Sequence, residues 1–320
     1  MKSIKHIVET QNIIKVLNTK SKFNIKKNIQ SLGITRQSFY NKFKELKEKK
    51  IINNFTINIH PRLSPINRKY VMLEIKTNPT EPILVEDLIK IPQLRMLDGI
   101  FGEYSLFAMF IFKSLKEYYE ILNAIDKIMS QSYFKKYHII ETIKVYKTNG
   151  IKLDDKKDAS LLVLSEIDNL ILEILQIHQK SKPISTYEIK ETLLRDFHID
   201  ISQSTVHNRI KKLENADVIL NYSINFSPSK IGYEGKYITR IKPKDPSKYD
   251  LLAQSLVYNQ YITDLFRIGE EYGLFAIVRV KKIGDYGKLI KQLYDTEAVE
   301  DTFTNFVLDE LKPYTNFKIS

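Results

Sequence analysis

A chain of 320 residues with 43% hydrophobic side chains can bury the cores of roughly two to four compact domains, and no apolar run in it is long enough to span a bilayer. It has no cysteine, which removes disulfides and thiolate metal sites, and no signal-peptide core opens it, so a cytoplasmic location is expected. A formal net charge of +12 favours a polyanionic partner, with nucleic acid the first choice.

Ile7, Ile13, Ile14, Val16 and Leu17 supply an apolar face for a first helix. Ser21 to Asn24 turn the chain, and a second helix over about residues 25–32 ends at Gly33, suited to a C-terminal cap. Thr35 to Ile52 (TRQSFYNKFKELKEKKII) predicts a third helix with Phe39, Phe43 and Leu46 on its buried stripe. Three such helices make a helix-turn-helix, and the alternating run Ile51 to Ile59 reads as a wing or connecting strand. His60, Pro61 and Pro65 close this first domain, residues 1–64.

Residues 65–148 change character. Strand Tyr70–Thr77, helix Ile83–Ile89, strands Leu94–Phe101 and Tyr104–Phe112, helix Leu115–Met129 and strand Ile139–Tyr146 follow in order. That βαββαβ order predicts a ferredoxin-like domain. The polar, charged stretch KTNGIKLDDKKDAS has no periodicity, and residues 149–160 are assigned to a linker.

The second half repeats the plan. Helices Ser165–Ile177 and Thr186–Phe197 precede Ser202 to Ile219 (SQSTVHNRIKKLENADVI), where Val206, Ile210 and Leu213 form the apolar stripe, and a strand runs to Phe226. This is a helix-turn-helix domain at 161–229. A second βαββαβ occupies 230–320, with strands Lys236–Ile241, Ile262–Ile268, Tyr272–Val280 and about Phe303–Leu308, and helices Tyr249–Val257 and Tyr286–Tyr294. Phe39, Phe43 and Leu46 stand 167 residues before Val206, Ile210 and Leu213, and Gly102-Glu103-Tyr104-Ser105-Leu106-Phe107-Ala108 matches Gly269-Glu270-Glu271-Tyr272-Gly273-Leu274-Phe275-Ala276. The chain is a duplication. Its expected fold class is α+β, two winged helix-turn-helix domains alternating with two ferredoxin-like domains.

A short helix with one buried stripe and a face of amides, hydroxyls and cations suits a DNA major groove. The candidate DNA-binding residues are Arg36, Gln37, Ser38, Tyr40, Asn41, Lys42 and Lys44 in the first head. In the second they are Ser202, Gln203, Ser204, His207, Asn208, Arg209 and Lys212. Residues 1–60 carry thirteen Lys/Arg and three acids, a net of +10, whereas residues 160–226 carry seven and nine, a net of −2. The first head should therefore grip phosphate and the second select bases. None of the six histidines shows metal-ligand spacing, there is no phosphate-binding or nucleophile-elbow motif, and no catalytic residue, metal or cofactor is assigned.

The runs IDNLILEILQ, S-x-x-x-V-x-x-R-I-x-x-L-E before Val218-Ile219, the G-E-x-Y hairpin and TFTNFVL (Thr302 to Leu308) resemble the Lrp/AsnC, or feast/famine, transcription regulators. The resemblance implies winged helix-turn-helix heads joined to ligand-sensing βαββαβ domains called RAM. It implies double-stranded DNA as partner, with no membrane. It allows a small-molecule effector near Gly102, Glu103, Tyr104, Gly269, Glu270 and Tyr272, and self-association beyond an intrachain pseudo-dimer. The family's glycine before Val-Ile is Asp217 here and Lys50 in the first copy. Its acidic residue after the hairpin is Ser105 or Gly273, so weak or no binding of ordinary amino acids is expected. Two alternatives to a regulator stay open: an enzyme like the siroheme decarboxylases, which share this architecture, and a ligand-sensing interaction protein without DNA binding.

Overall fold

The computed structural model describes residues 4–19, 30, 32–63, 68–78, 80–153, 162–177, 179 and 182–319. The expected second helix and the turn before it lie almost wholly outside them. The chain forms two compact units, neither of them contiguous in sequence. Met1–Pro65, Asp155–Gly232 and Thr315–Ser320 make one, and Ile66–Asp154 with Tyr233–Tyr314 make the other.

In the first unit, α1 (Ile4–Leu17) leads to α2 (Arg36–Glu48). Thr35 caps α2 by accepting the Ser38 amide at 3.1 Å, which satisfies one of the free donors of the first turn. Phe39 and Leu46 are buried, while Phe43 stacks between Phe39 and Phe55. Strand β1 (Ile52–Ile59) follows. In the second copy, α5 (Glu166–Ile177) and α6 (Thr186–Phe197) precede α7 (Gln203–Asn215) and strand β7 (Ile219–Phe226). A Ser185–Glu188 capping box starts α6, and Ser202 caps α7 through the Thr205 amide.

Among the described residues the strands after α2 and α7 have no local hairpin partner, so neither forms a wing of its own. β1 pairs antiparallel with β7, and their register is symmetric about Thr56–Ser223: Ile52 faces Phe226, and Ile59 faces Ile219. Each pair is the other's image under the 167-residue repeat, so a pseudo-twofold axis passes through the strand pair. Asn54–Asn225 (3.1 Å) and Asn58–Asn221 (2.8 Å) repeat the relation in side chains.

This pairing interlocks the two heads. Ile57, Ile59 and Leu63 of the first copy join Ile171, Leu175, Val206, Ile210 and Leu213 in one core. Thr56 donates to the Gln176 carbonyl, and Thr19, just past α1, bridges to Tyr222 of β7. Residues 161–229 therefore lack part of their own core. The C-terminal segment also departs from expectation: Thr315 to Ile319 runs with this unit. Asn316 donates to Asn58 at 2.7 Å, and Phe317 packs on Phe226.

The second unit holds both βαββαβ copies. The first is β2 (Lys69–Lys76), α3 (Pro82–Lys90), β3 (Leu94–Ile100), β4 (Leu106–Phe112), α4 (Leu115–Ser130) and β5 (Lys136–Thr148). The second is β8 (Gly235–Pro243), α8 (Tyr249–Leu256), β9 (Ile262–Ile268), β10 (Leu274–Val280), α9 (Ile283–Asp295) and β11 (Val299–Lys312). The expected linker begins later than assigned. Asn149 and Gly150 both take positive φ and turn β5 back into the two-residue β6 (Ile151–Lys152).

Hydrogen bonding runs β2-β4-β3-β11-β8-β10-β9-β5 and closes again on β2. The long last strands do the joining. β5 pairs with β2 and then with β9 of the other copy, and β11 pairs with β8 and then with β3. Each copy packs its own two helices on one face, through Val71, Leu73 and Ile75 in the first copy and Leu274, Ala276 and Val278 in the second. The alternate residues face the other copy, which is why β4 (LFAMFIF) and β10 (LFAIVRV) are buried along their whole length.

Candidate nucleic-acid and effector sites

Helix α2 presents Arg36, Gln37, Ser38, Tyr40, Asn41 and Lys44 to solvent. Two pairs one turn apart order this face: the Arg36 guanidinium lies 5.6 Å from the Tyr40 ring centre, and Gln37 donates to Asn41 at 3.0 Å. Helix α7 exposes Gln203, Ser204, His207, Asn208 and Lys212, with Lys211 beside them. Gln203 is tethered to Thr186 at 2.9 Å, so its amide is held at the start of α7.

Two expected DNA contacts turn inward instead. Lys42 pairs with Glu9 of α1. Its counterpart Arg209 donates to Asp168 of α5 at 2.9 Å and to Ser165 at 3.0 Å. Burial pushes the Asp168 carboxyl up, but hydrogen bonds from Ser165 and Arg209 outweigh it and hold the group below its ordinary value. Lys42 and Arg209 thus fasten α2 to α1 and α7 to α5. The Ser202 hydroxyl caps α7, and the Ser38 hydroxyl lies 2.8 Å from that of the α2 cap, Thr35. The sequence also hid Lys230, whose ammonium reaches the Lys49 carbonyl at 2.7 Å and caps the end of α2 from the other copy.

In the second unit a cavity of about 500 Å³ opens between the two copies. Glu103, Tyr104, Glu270 and Tyr272 line it as expected, while Gly102 and Gly269 shape the hairpins without lining it. Gly102 has φ +149, and a Cβ there would meet Asn305 at 2.9 Å. The floor comes from strands away from the hairpins: Glu74 of β2, His138 of β5, Arg240 of β8, and Phe303 and Asn305 of β11, the last two within the TFTNFVL run. Arg240 bridges Glu74 at 2.7 Å and Glu270 at 3.2 Å. The His138 nitrogens lie 3.5 Å and 3.1 Å from the same two carboxylates. Four carboxylates line the cavity, and each is paired with a cation: Glu74 and Glu270 with Arg240, Glu103 with Lys136 at 2.7 Å and Glu271 with Lys242 at 3.3 Å. Among the described residues no cluster of His, Asp or Glu is arranged to hold a metal ion, and no helix is long and apolar enough to cross a membrane.

Paired βαββαβ copies with a cavity between them, and two helical heads on a shared strand pair, define a duplicated α+β protein. Residues 238–317 match the model of the Lrp/AsnC ligand binding domain. The HTH-type transcriptional regulator FL11 of Pyrococcus abyssi is 30% identical over 156 residues, covering 49% of this chain and 97% of the regulator. LrpA of Pyrococcus horikoshii, also an HTH-type transcriptional regulator, is 26% identical over 151 residues, 47% of this chain and all of LrpA. The chain belongs to the Lrp/AsnC family, and it is twice the length of these relatives. Over its full span it shares a fold with the siroheme decarboxylase NirDL: TM-score 0.61, 13% identity, 97% of this chain and 94% of that one.

Proposed function

We propose that the chain is a sequence-specific, double-stranded-DNA-binding transcription regulator, in which two helix-turn-helix heads, joined by one shared strand pair in place of separate wings, alternate along the sequence with two RAM domains in a one-chain pseudo-dimer. The observation that carries this reading is the symmetric β1–β7 register, which sets α2 and α7 in twofold-related positions within one unit. Twofold-related recognition helices match two half-sites on a duplex. The exposed faces of α2 and α7 make the base and phosphate contacts, and the cavity between the RAM copies takes a small-molecule effector. A cytoplasmic location and a non-enzymatic role go with this reading.

The shared fold with a siroheme decarboxylase motivates a second arm in the test. The cations at the cavity are each already paired with a carboxylate of the chain, which leaves little positive charge for a polycarboxylate tetrapyrrole such as siroheme. Footprinting on the DNA upstream of the protein's own gene should show two protected half-sites spaced by whole helical turns. Siroheme incubated with the protein should come back unchanged. Binding no tighter than to unrelated duplex, or loss of carboxyl groups from siroheme, would overturn the proposal.

A further inference from the structure

We infer that the two βαββαβ copies carry a buried charge code that makes each the partner of the other and unfit to pair with its own likeness. The inference is independent of whether the heads bind DNA. It rests on which positions are equivalent, and strand register settles that. Phe107 lies opposite Glu74 in β2, and Phe275 lies opposite Arg240 in β8. Because both phenylalanines belong to the shared Leu-Phe-Ala run, Glu74 and Arg240 are counterparts. By the same register Asp98 corresponds to Phe266, and Tyr70 (opposite Ile111) corresponds to Lys236 (opposite Arg279).

Across the local pseudo-twofold of this second unit, counterparts touch each other. The Phe107 and Phe275 rings stack at 5.3 Å and 17°. Beside them Glu74 and Arg240 form their 2.7 Å ion pair with side chains 5% and 7% exposed. At a true twofold a residue on the axis meets its own copy. Two first copies would thus press Glu74 on Glu74, and two second copies Arg240 on Arg240.

Off the axis the code is repeated in another form. Lys236 meets Asp98 at 2.6 Å, with side chains 4% and 0% exposed, and shares Glu310 with Arg279. The symmetry-related contact is Tyr70 on Phe266, rings 5.7 Å apart. One arm of the interface is ionic and its twin is aromatic. In a pairing of like copies Asp98 would face a tyrosine and be buried without its partner, and Lys236 would face a phenylalanine and keep only Glu310 of its own copy. Unlike side chains at equivalent positions set the choice of partner by penalising the wrong one.

The test uses the full chain carrying Glu74→Arg, Arg240→Glu, or both. Each single variant should unfold at lower urea, and the double should regain more than half of the summed loss in midpoint. Should a single variant fail to fold, Glu74→Gln and Arg240→Gln keep the cycle measurable, and their combined loss should fall short of the sum. Losses that simply add would overturn the inference. Partner choice is read by refolding the Glu74→Arg chain together with the Arg240→Glu chain and weighing the products by native mass spectrometry. Opposite charges then sit on different chains, so a 1:1 two-chain species should form that neither variant forms alone. Return of single-chain species only would mean that the tether, and not the charges, selects the partner.

Discussion

Replacing Arg36 and Lys44 with alanine removes two cations from the exposed face of α2, where Arg36 packs over Tyr40 and Lys44 stands 3.8 Å from Glu48 at the surface. Each phosphate contact contributes about 0.9 to the slope of log affinity against log salt, so the double variant should lose about 1.8 from that slope. Between about 50 and 200 mM salt, wild-type affinity should then fall about 12-fold further than that of the variant. Lys42→Ala should behave differently, because that ammonium is already neutralised by Glu9. Its slope should change by less than about half of one contact, with any loss of affinity equal at all salt concentrations. Fluorescence anisotropy of labelled upstream duplex, titrated over this salt range for the three proteins, measures the slopes directly. An unchanged slope in the double variant, or an equal drop in Lys42→Ala, would refute the assignment of phosphate contacts on α2.

Two stability predictions follow from backbone and charge. Asp217 sits just past α7 at φ 52, where a side chain costs about 1 kcal/mol and a carboxylate meets the negative end of the helix dipole. Asp217→Gly should stabilise the chain by about 1–2 kcal/mol in urea titration, and Lys50→Gly (φ 51) by less, because a lysine there suits the dipole. Burial pushes the Glu310 carboxyl up, but Arg279 and Lys236 outweigh it and hold it at about 2, against an ordinary 4.5. A depressed folded-state value stabilises above the unfolded one, so about 3 kcal/mol should be present above pH 4.5 and disappear as pH falls towards 2. Glu310→Gln should lower stability at pH 7 and flatten the profile across that window, as read by urea midpoints at stepped pH.

The local features of this protein were legible in its residues. The stripes Phe39, Phe43, Leu46 and Val206, Ile210, Leu213, the caps Thr35 and Ser202, and the βαββαβ order depend on neighbours a turn or a strand away. The exposed faces of α2 and α7 and four of the six hairpin residues at the cavity could be placed for the same reason. Tertiary structure decided what depends on distant partners. Whether Ile51 to Ile59 became a wing turned on its pairing with a strand 167 residues later, since any unpaired edge would have served its alternation. Arg209 and Lys42 look like DNA contacts on an isolated helix, and only packing against α5 and α1 shows the carboxylates that claim them. Glu74, Asp98, Arg240 and Lys236 read as surface charges in strands, yet closure of the strand ring buries them all, and burial turns ordinary charges into the groups that choose a partner.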